Sequence, residues 1–216
     1  MALGGPIDIE FTNSDSPRHV AGQKIVAFEI CELFALNVPD TIALPVSSGS
    51  NASVIWKGLR ELRAAGLLDT LPRLYWVQAA CDPIARAYRD SAQEVTRVES
   101  SETVAYSIGN HDPPSGTRAL RAVRETGGAV VYVSENEILD ATAAFATETG
   151  LCVEPASTVA LAGVRTLADV GEVSDDEEVV CVATGTGFKE LDHLDAGSDV
   201  RTIEREHLEE ILASLT

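Results

Sequence analysis

Pro45-Val46-Ser47-Ser48-Gly49-Ser50-Asn51-Ala52-Ser53-Val54-Ile55-Trp56-Lys57-Gly58 is the stretch that decides how this chain folds. An apolar run from Ile42 to Val46 enters it as a strand, and the Gly/Ser loop opens a helix at Asn51. At such a helix start, backbone N–H groups without intrahelical acceptors and the positive end of the helix dipole face one small volume. Ser47, Ser48 and Ser50 add hydroxyls, and Gly49 lets the backbone approach closely. That combination is an anion cradle whose usual occupant is a phosphate group. A plainer reading is a strand-to-helix turn capped by Asn51. Taken alone, the loop does not separate the two.

Outward from this loop, strand and helix signals alternate. Ile7 to Phe11 suits a short strand, and Gln23 to Leu36 a helix with apolar residues on several faces, expected to be well buried. After the cradle, Ile55, Leu59 and Leu62 form the buried stripe of a helix that Gly66 can close. Leu74 to Ala79 reads as a strand, and Pro83 starts a short helix. Ala129 to Val133 is the next strand. Ser134 with Glu137 then forms a capping box, with Ile138, Ala141, Thr142 and Phe145 on one helical face. A helix from about Pro155 to Val170 precedes a buried strand, Val179 to Ala183. Strands separated by helices predict an α/β fold: a mostly parallel open sheet with helices on both faces. Asn110 to Gly116 is the clearest internal loop, but no linker is long enough for independent domains, so residues 1–216 read as a single α/β unit.

With 34 acidic against 16 basic residues, the net charge is −18. Such a surface repels nucleic acid and anionic lipid, which argues against both as partners. Acid-rich, lysine-poor surfaces also stay soluble at high salt, so a salt-adapted source is expected. Asp175 to Glu178 and the acids around Glu204 to Glu210 read as solvated faces. Cys31, Cys81, Cys152 and Cys181 make no CxxC pair, and Cys152 and Cys181 sit in apolar runs. They read as small core residues of a reducing compartment, and a cytoplasmic protein fits. No apolar run approaches the ~20 residues of a membrane span, and no leader precedes the first element. The histidines lack metal-ligand spacing, so no metal site is expected, and no Gly-x-Ser-x-Gly elbow is present.

Two further stretches extend the pattern of the loop: Glu154-Pro155-Ala156-Ser157-Thr158 and Thr184-Gly185-Thr186-Gly187-Phe188-Lys189. With the cradle, in this order, they resemble pyridoxal-phosphate enzymes of the tryptophan-synthase-β type, and among these threonine synthases. Supporting signatures are Gly22-Gln23-Lys24 with Phe28-Glu29-Ile30, Leu71-Pro72-Arg73 with Val77-Gln78-Ala79, Ile108-Gly109-Asn110 with Ala119-Leu120-Arg121, and Gly127-Gly128-Ala129-Val130. Each is weak singly, whereas the ordered set, spanning Pro17 to Lys189, is specific. The resemblance implies a partial fold-type-II architecture. It also implies pyridoxal 5′-phosphate as cofactor, held at Ser47, Ser48, Gly49, Ser50 and Asn51, with the Thr184 hydroxyl at the ring nitrogen. A neutral hydroxyl leaves the nitrogen's proton optional, where an aspartate would enforce it.

The activity implied is conversion of O-phosphohomoserine and water to threonine and phosphate. A serine/threonine dehydratase or cysteine-synthase-like lyase, and a truncated module that binds phosphate without catalysis, are the alternatives. Relatives with dehydratase or cysteine-synthase activity commonly carry serine where Thr184 stands, which favours the first reading. Threonine synthases commonly carry a Gly-Asn-Gly-Gly-Asn-like loop here; Ser47, Ser48 and Ser50 depart from it, keeping the donors but weakening the link to one substrate. The family's covalent lysine lies in an upstream Ser-x-Lys-x-Arg stretch that this sequence lacks. Lys24, Lys57 and Lys189 lack that context, so no catalytic residue is assigned. The chain is thus expected to correspond to the C-terminal part of such an enzyme and to be inactive by itself. An N-terminal complementary segment or a homo-oligomer is its expected partner. Arg18 or His19 is a candidate contact for a substrate phosphate, against the reading of a solvated loop.

Overall fold

The computed structural model describes residues 16–189; the strand expected over Ile7 to Phe11 lies outside them. Four strands, β1 (Thr41–Pro45), β2 (Arg73–Ala79), β3 (Val130–Val133) and β4 (Val179–Cys181), form one parallel sheet in the order β3-β2-β1-β4. Among the described residues, seven α-helices connect or flank the strands: α1 (Pro17–Gly22), α2 (Ile25–Leu33), α3 (Ser50–Ala64), α4 (Pro83–Arg89), α5 (Gly116–Thr126), α6 (Glu135–Thr149) and α7 (Pro155–Asp169). The expected parallel α/β arrangement is therefore present.

Period-two alternation divides the core. Ile42, Leu44, Leu74 and Trp76 pack with Ile55 and Leu59 of α3 and Ala119, Leu120 and Val123 of α5. Ala43, Tyr75 and Val77 point the other way, toward Val159, Ala160 and Leu167 of α7. Trp76 is wholly buried, and its indole N–H donates to the Ala119 carbonyl at 2.8 Å, so this side chain carries no unmet polar group. Truncating such a residue typically costs about 3–5 kcal/mol. Gln78, also buried, accepts the N–H groups of Ile84 and Ala85, both at 2.9 Å, and thereby caps α4 from the end of β2. On the far side α6 supports α7 through a buried hydroxyl pair, Thr142 and Thr158, 2.7 Å apart.

Four expectations need correction. The helix read over Gln23 to Leu36 is the shorter α2 (Ile25–Leu33), with α1 a separate helix before it. Ala35 and Leu36 take positive φ and end it, and Leu33 is 84% exposed because α2 packs only one face on α3. The cradle helix opens at Ser50 with Gly49 as N-cap, not at Asn51. The residues of β4 are half-buried, because β4 is the edge of the described sheet with β1 on one side. Cys152 is exposed in the α6–α7 connection; Cys31 and Cys81 are buried and Cys181, on the edge strand, is intermediate. The capping box at Ser134 and Glu137 is present, and Pro155 occupies the first turn of α7.

Among the described residues, no helix is long and apolar enough to cross a membrane, and no cluster of three or more metal-ligating side chains exists.

Candidate functional site

Parallel pairing of β1 with β4 brings two loops to one end of the sheet. Thr41 pairs with Val179 and Ala43 with Cys181, so the stretch after Pro45 and the stretch after Cys181 both leave carboxyl ends of adjacent strands. That is where ligands bind in open α/β sheets. Ser47 to Asn51 and Thr184 to Gly185 thus share one end, as their positions after strands predict.

The first loop is rigidly held. Gly49 has φ of +79°, and a Cβ there would lie 2.9 Å from the Ser115 carbonyl carbon and oxygen. The Ser115 N–H donates to the Ser48 carbonyl at 2.9 Å, tying the loop to the start of α5. The Gly49 carbonyl accepts from the Ser53 N–H at 3.0 Å, the first bond of α3. No acceptor among the described residues meets the backbone N–H groups of Gly49, Ser50 or Asn51. The hydroxyls of Ser48 and Ser50 lie 3.1 Å apart. Asn51 donates to the Pro45 carbonyl at 3.3 Å and accepts from the Ala52 N–H at 2.8 Å, so it braces the loop rather than capping the helix. Open N–H groups, hydroxyls and a position closed to any Cβ are what a bound phosphate requires.

The second loop is held from behind by α7. The Ser157 Oγ accepts from the Thr184 N–H at 3.1 Å and the Gly185 N–H at 2.6 Å, and lies 3.2 Å from the Thr184 hydroxyl. Thr184 itself is exposed. A second brace comes from Glu154, whose N–H donates to the Gly185 carbonyl at 3.2 Å. In sequence, Glu154 to Thr158 stands out only as part of the resemblance and as a helix start. The roles of Ser157, Glu154 and Ser115 depend on contacts 28, 31 and 66 positions apart, which no local pattern encodes.

The remaining candidates stand elsewhere. Lys24 and Lys57 both pair with Glu61 of α3, at 2.6 and 3.8 Å, and the Lys24 hydrogen bond leads the effects that hold the Glu61 carboxyl below its usual range. Arg18 and His19 are exposed, on α1 rather than in a loop. A cavity of about 540 Å³ between α1 and α3 is lined by Pro17, Trp56, Arg60 and Arg118, and by none of the six predicted site residues. Near the second loop, burial pushes the Cys181 thiol up to about 11.

The pyridoxal-phosphate dependent enzyme family matches residues 9–185. The threonine synthase of Methanosarcina acetivorans is 41% identical over 184 residues, 84% of this chain and 45% of the relative. That of Methanocaldococcus jannaschii is 37% identical over 185 residues, 85% of this chain and 46% of the relative. The chain spans about half the length of these curated relatives. Among solved structures, the processed form of threonine deaminase isoform 2 from Solanum lycopersicum aligns with a TM-score of 0.67 at 16% identity, covering 86% of this chain and 51% of that one. An L-serine ammonia-lyase from Rhizomucor miehei gives 0.64 at 21% identity, covering 94% of this chain and 58% of that one. At these identities the structures establish the shared fold.

Proposed function

This chain belongs to the pyridoxal-phosphate dependent enzyme family, and from that premise we propose that it is the cofactor-phosphate half of a threonine synthase, acting on O-phosphohomoserine and water to release threonine and phosphate. The observation that carries the reading is one end of the sheet where three open N–H groups meet two hydroxyls, beside an exposed threonine on the neighbouring strand's loop. The residues fit the cofactor. Gly49, Ser50 and Asn51 would bind its phosphate through backbone N–H groups, with the Ser47, Ser48 and Ser50 hydroxyls around them. The Thr184 hydroxyl, fixed by Ser157, would meet the ring nitrogen. When bound, the cofactor supplies an electron sink for carbanions formed beside a substrate amino group. The described lysines, Lys24 and Lys57, are occupied by Glu61, which supports assigning no catalytic lysine to them. A lysine-bearing complementary segment is the partner this reading needs, and residues 1–216 act in it as one α/β unit. A cytoplasmic, salt-adapted enzyme accords with the charge of −18; melting temperature should rise across a salt series, and a flat series would remove the adaptation.

The test combines the chain and pyridoxal 5′-phosphate with the amino-terminal half of the Methanosarcina acetivorans threonine synthase. Phosphate release from O-phosphohomoserine is expected only in the mixture. Ammonia release from threonine or serine, without phosphate release, would replace this reading with the dehydratase. Absence of both reactions, with no cofactor bound, would leave a module of another kind.

A further inference from the structure

Glu154 is a buried carboxylate with no evident structural task. It stands at the N-cap of α7, yet its side chain makes no cap bond to that helix. It is only 5% exposed, and its Oε2 has no hydrogen-bond partner. Its Oε1 receives one long hydrogen bond, 3.5 Å, from the Ser107 hydroxyl. No ion pair reaches it among the described residues. The carboxylate instead lies against the second loop: a Cβ on Gly185 would sit 2.4 Å from Oε1 and 2.7 Å from Cδ. A glycine there makes room for the carboxyl group, and Gly185 directly follows Thr184.

A buried polar atom left without a partner is destabilising by about 1–3 kcal/mol, so its presence beside a ligand loop points to a ligand that completes it. The elements packed around the carboxylate carry few charges. The Tyr106–Ile108 turn brings the Ser107 hydroxyl, α7 brings Ser157, and the edge loop brings Thr184 and Thr186. The titratable groups near them, the Tyr106 phenol and the Cys152 thiol, are both exposed. Among the described residues, no ion pair compensates a negative charge there on the side of Thr184.

We propose that Glu154 is a positioning residue of the cofactor site whose carboxylate favours the protonated form of a pyridine nitrogen set against Thr184. This rests on the cofactor reading above. A threonine hydroxyl can donate to a bare ring nitrogen or accept from a protonated one, so it leaves the proton undecided. An opposite charge within about 4–6 Å raises the affinity of such a nitrogen for its proton by about 1–3 pH units. The proton comes from solvent, and no bond other than N–H is made. A protonated ring is the stronger electron sink, so Glu154 would provide indirectly what an aspartate provides by contact.

The probe is 4-deoxypyridoxine 5′-phosphate labelled with ¹⁵N in the ring. It has no aldehyde, so its binding needs no lysine, and its nitrogen shift reports protonation separately from the phosphate. The bound probe's titration midpoint should lie about one unit or more higher in the wild-type chain than in Glu154→Gln. Ser107→Ala, which removes the one donor to Oε1, disfavours the charged carboxylate and should also lower the midpoint, by less. A lower midpoint in Glu154→Gln that comes only with lost binding of the probe is general damage to the loop, which overturns the proposal. Equal midpoints in wild type and Glu154→Gln, with Thr184→Ala shifted, make Glu154 merely structural and leave the cofactor reading intact. A probe that titrates as it does free in solution, with wild type present, removes the cofactor reading and this inference with it.

Discussion

The two loops at the carboxyl end of the sheet are built in opposite ways. The Ser47–Asn51 loop follows β1, buried along its length between β2 and β4, and is fixed by backbone: the carbonyl of Ser115 fills the place of a side chain on Gly49. The Thr184–Gly185 loop follows the half-buried edge strand β4; one side-chain oxygen, that of Ser157, accepts both of its N–H groups, and the Glu154 N–H supports the Gly185 carbonyl. A cradle for a charged phosphate must hold N–H groups in place before the ligand arrives, which backbone packing does best. A ring contact depends on one hydroxyl and its surroundings, and a side chain can adjust it. In the first loop, stability and binding are therefore coupled; in the second they are largely separable.

Gly49→Ala should have the largest effect. A left-handed alanine against a backbone carbonyl that cannot yield is destabilising by about 2–3 kcal/mol. A lower melting temperature should accompany lost affinity for pyridoxal 5′-phosphate, and a variant with normal melting but lost binding would break the coupling. Ser157→Ala comes next. It leaves the N–H groups of Thr184 and Gly185 without their acceptor, for about 1–3 kcal/mol if water does not replace it. Because Thr184 is exposed, the melting temperature should fall less than for Gly49→Ala, while probe binding at the ring nitrogen weakens. Ser50→Ala removes one hydroxyl of the loop proposed to hold a phosphate and should weaken binding by about 1.5 kcal/mol, roughly tenfold, with thermal stability unchanged. Isothermal titration with the wild type as reference measures all three.

Acid should act on the second loop's support, and weakly. The Ser134 hydroxyl, followed by its backbone N–H, holds the Glu137 carboxyl below its ordinary 4.5, and Thr166 of α7 also donates to Glu137 at 3.2 Å. A carboxyl depressed in the folded state contributes stability that is present above its ordinary value and lost as pH falls through the depressed one. The tie between α6 and α7 should thus loosen only below about pH 4.5. Glu137→Gln should lower the neutral part of a melting-temperature profile slightly and so flatten its acid limb.

The sheet was legible because its strands are short apolar runs between glycine, proline and capping signals, and local chemistry sets those. Gln78 shows the limit. Its motif marked it, yet its work, capping α4 from within the core, depends on how β2 lies against a later helix. The cradle could be read from one contiguous stretch, although its N-cap moved from Asn51 to Gly49, because only glycine tolerates the left-handed backbone that Ser115 demands. Cys152 was misread because an apolar neighbourhood in sequence need not be a buried one. Its segment crosses outside the sheet between α6 and α7. Glu154 was invisible as an ionic group because nothing local distinguishes a carboxylate that caps a helix from one that turns away.

That misread cysteine offers a practical handle. Of the four thiols, Cys31 and Cys81 are enclosed, and Cys181 is kept in its unreactive neutral form by burial, while Cys152 is open to solvent. Alkylation of the folded chain should therefore stop after a single label. The Cys152 carbonyl accepts the Gly187 N–H at 3.0 Å, and the next residue, Val153, bridges to Thr186. A fluorophore or spin label at this thiol would ride on the backbone that carries the edge loop, reporting its motion while every residue of the Ser47–Asn51 loop remains native.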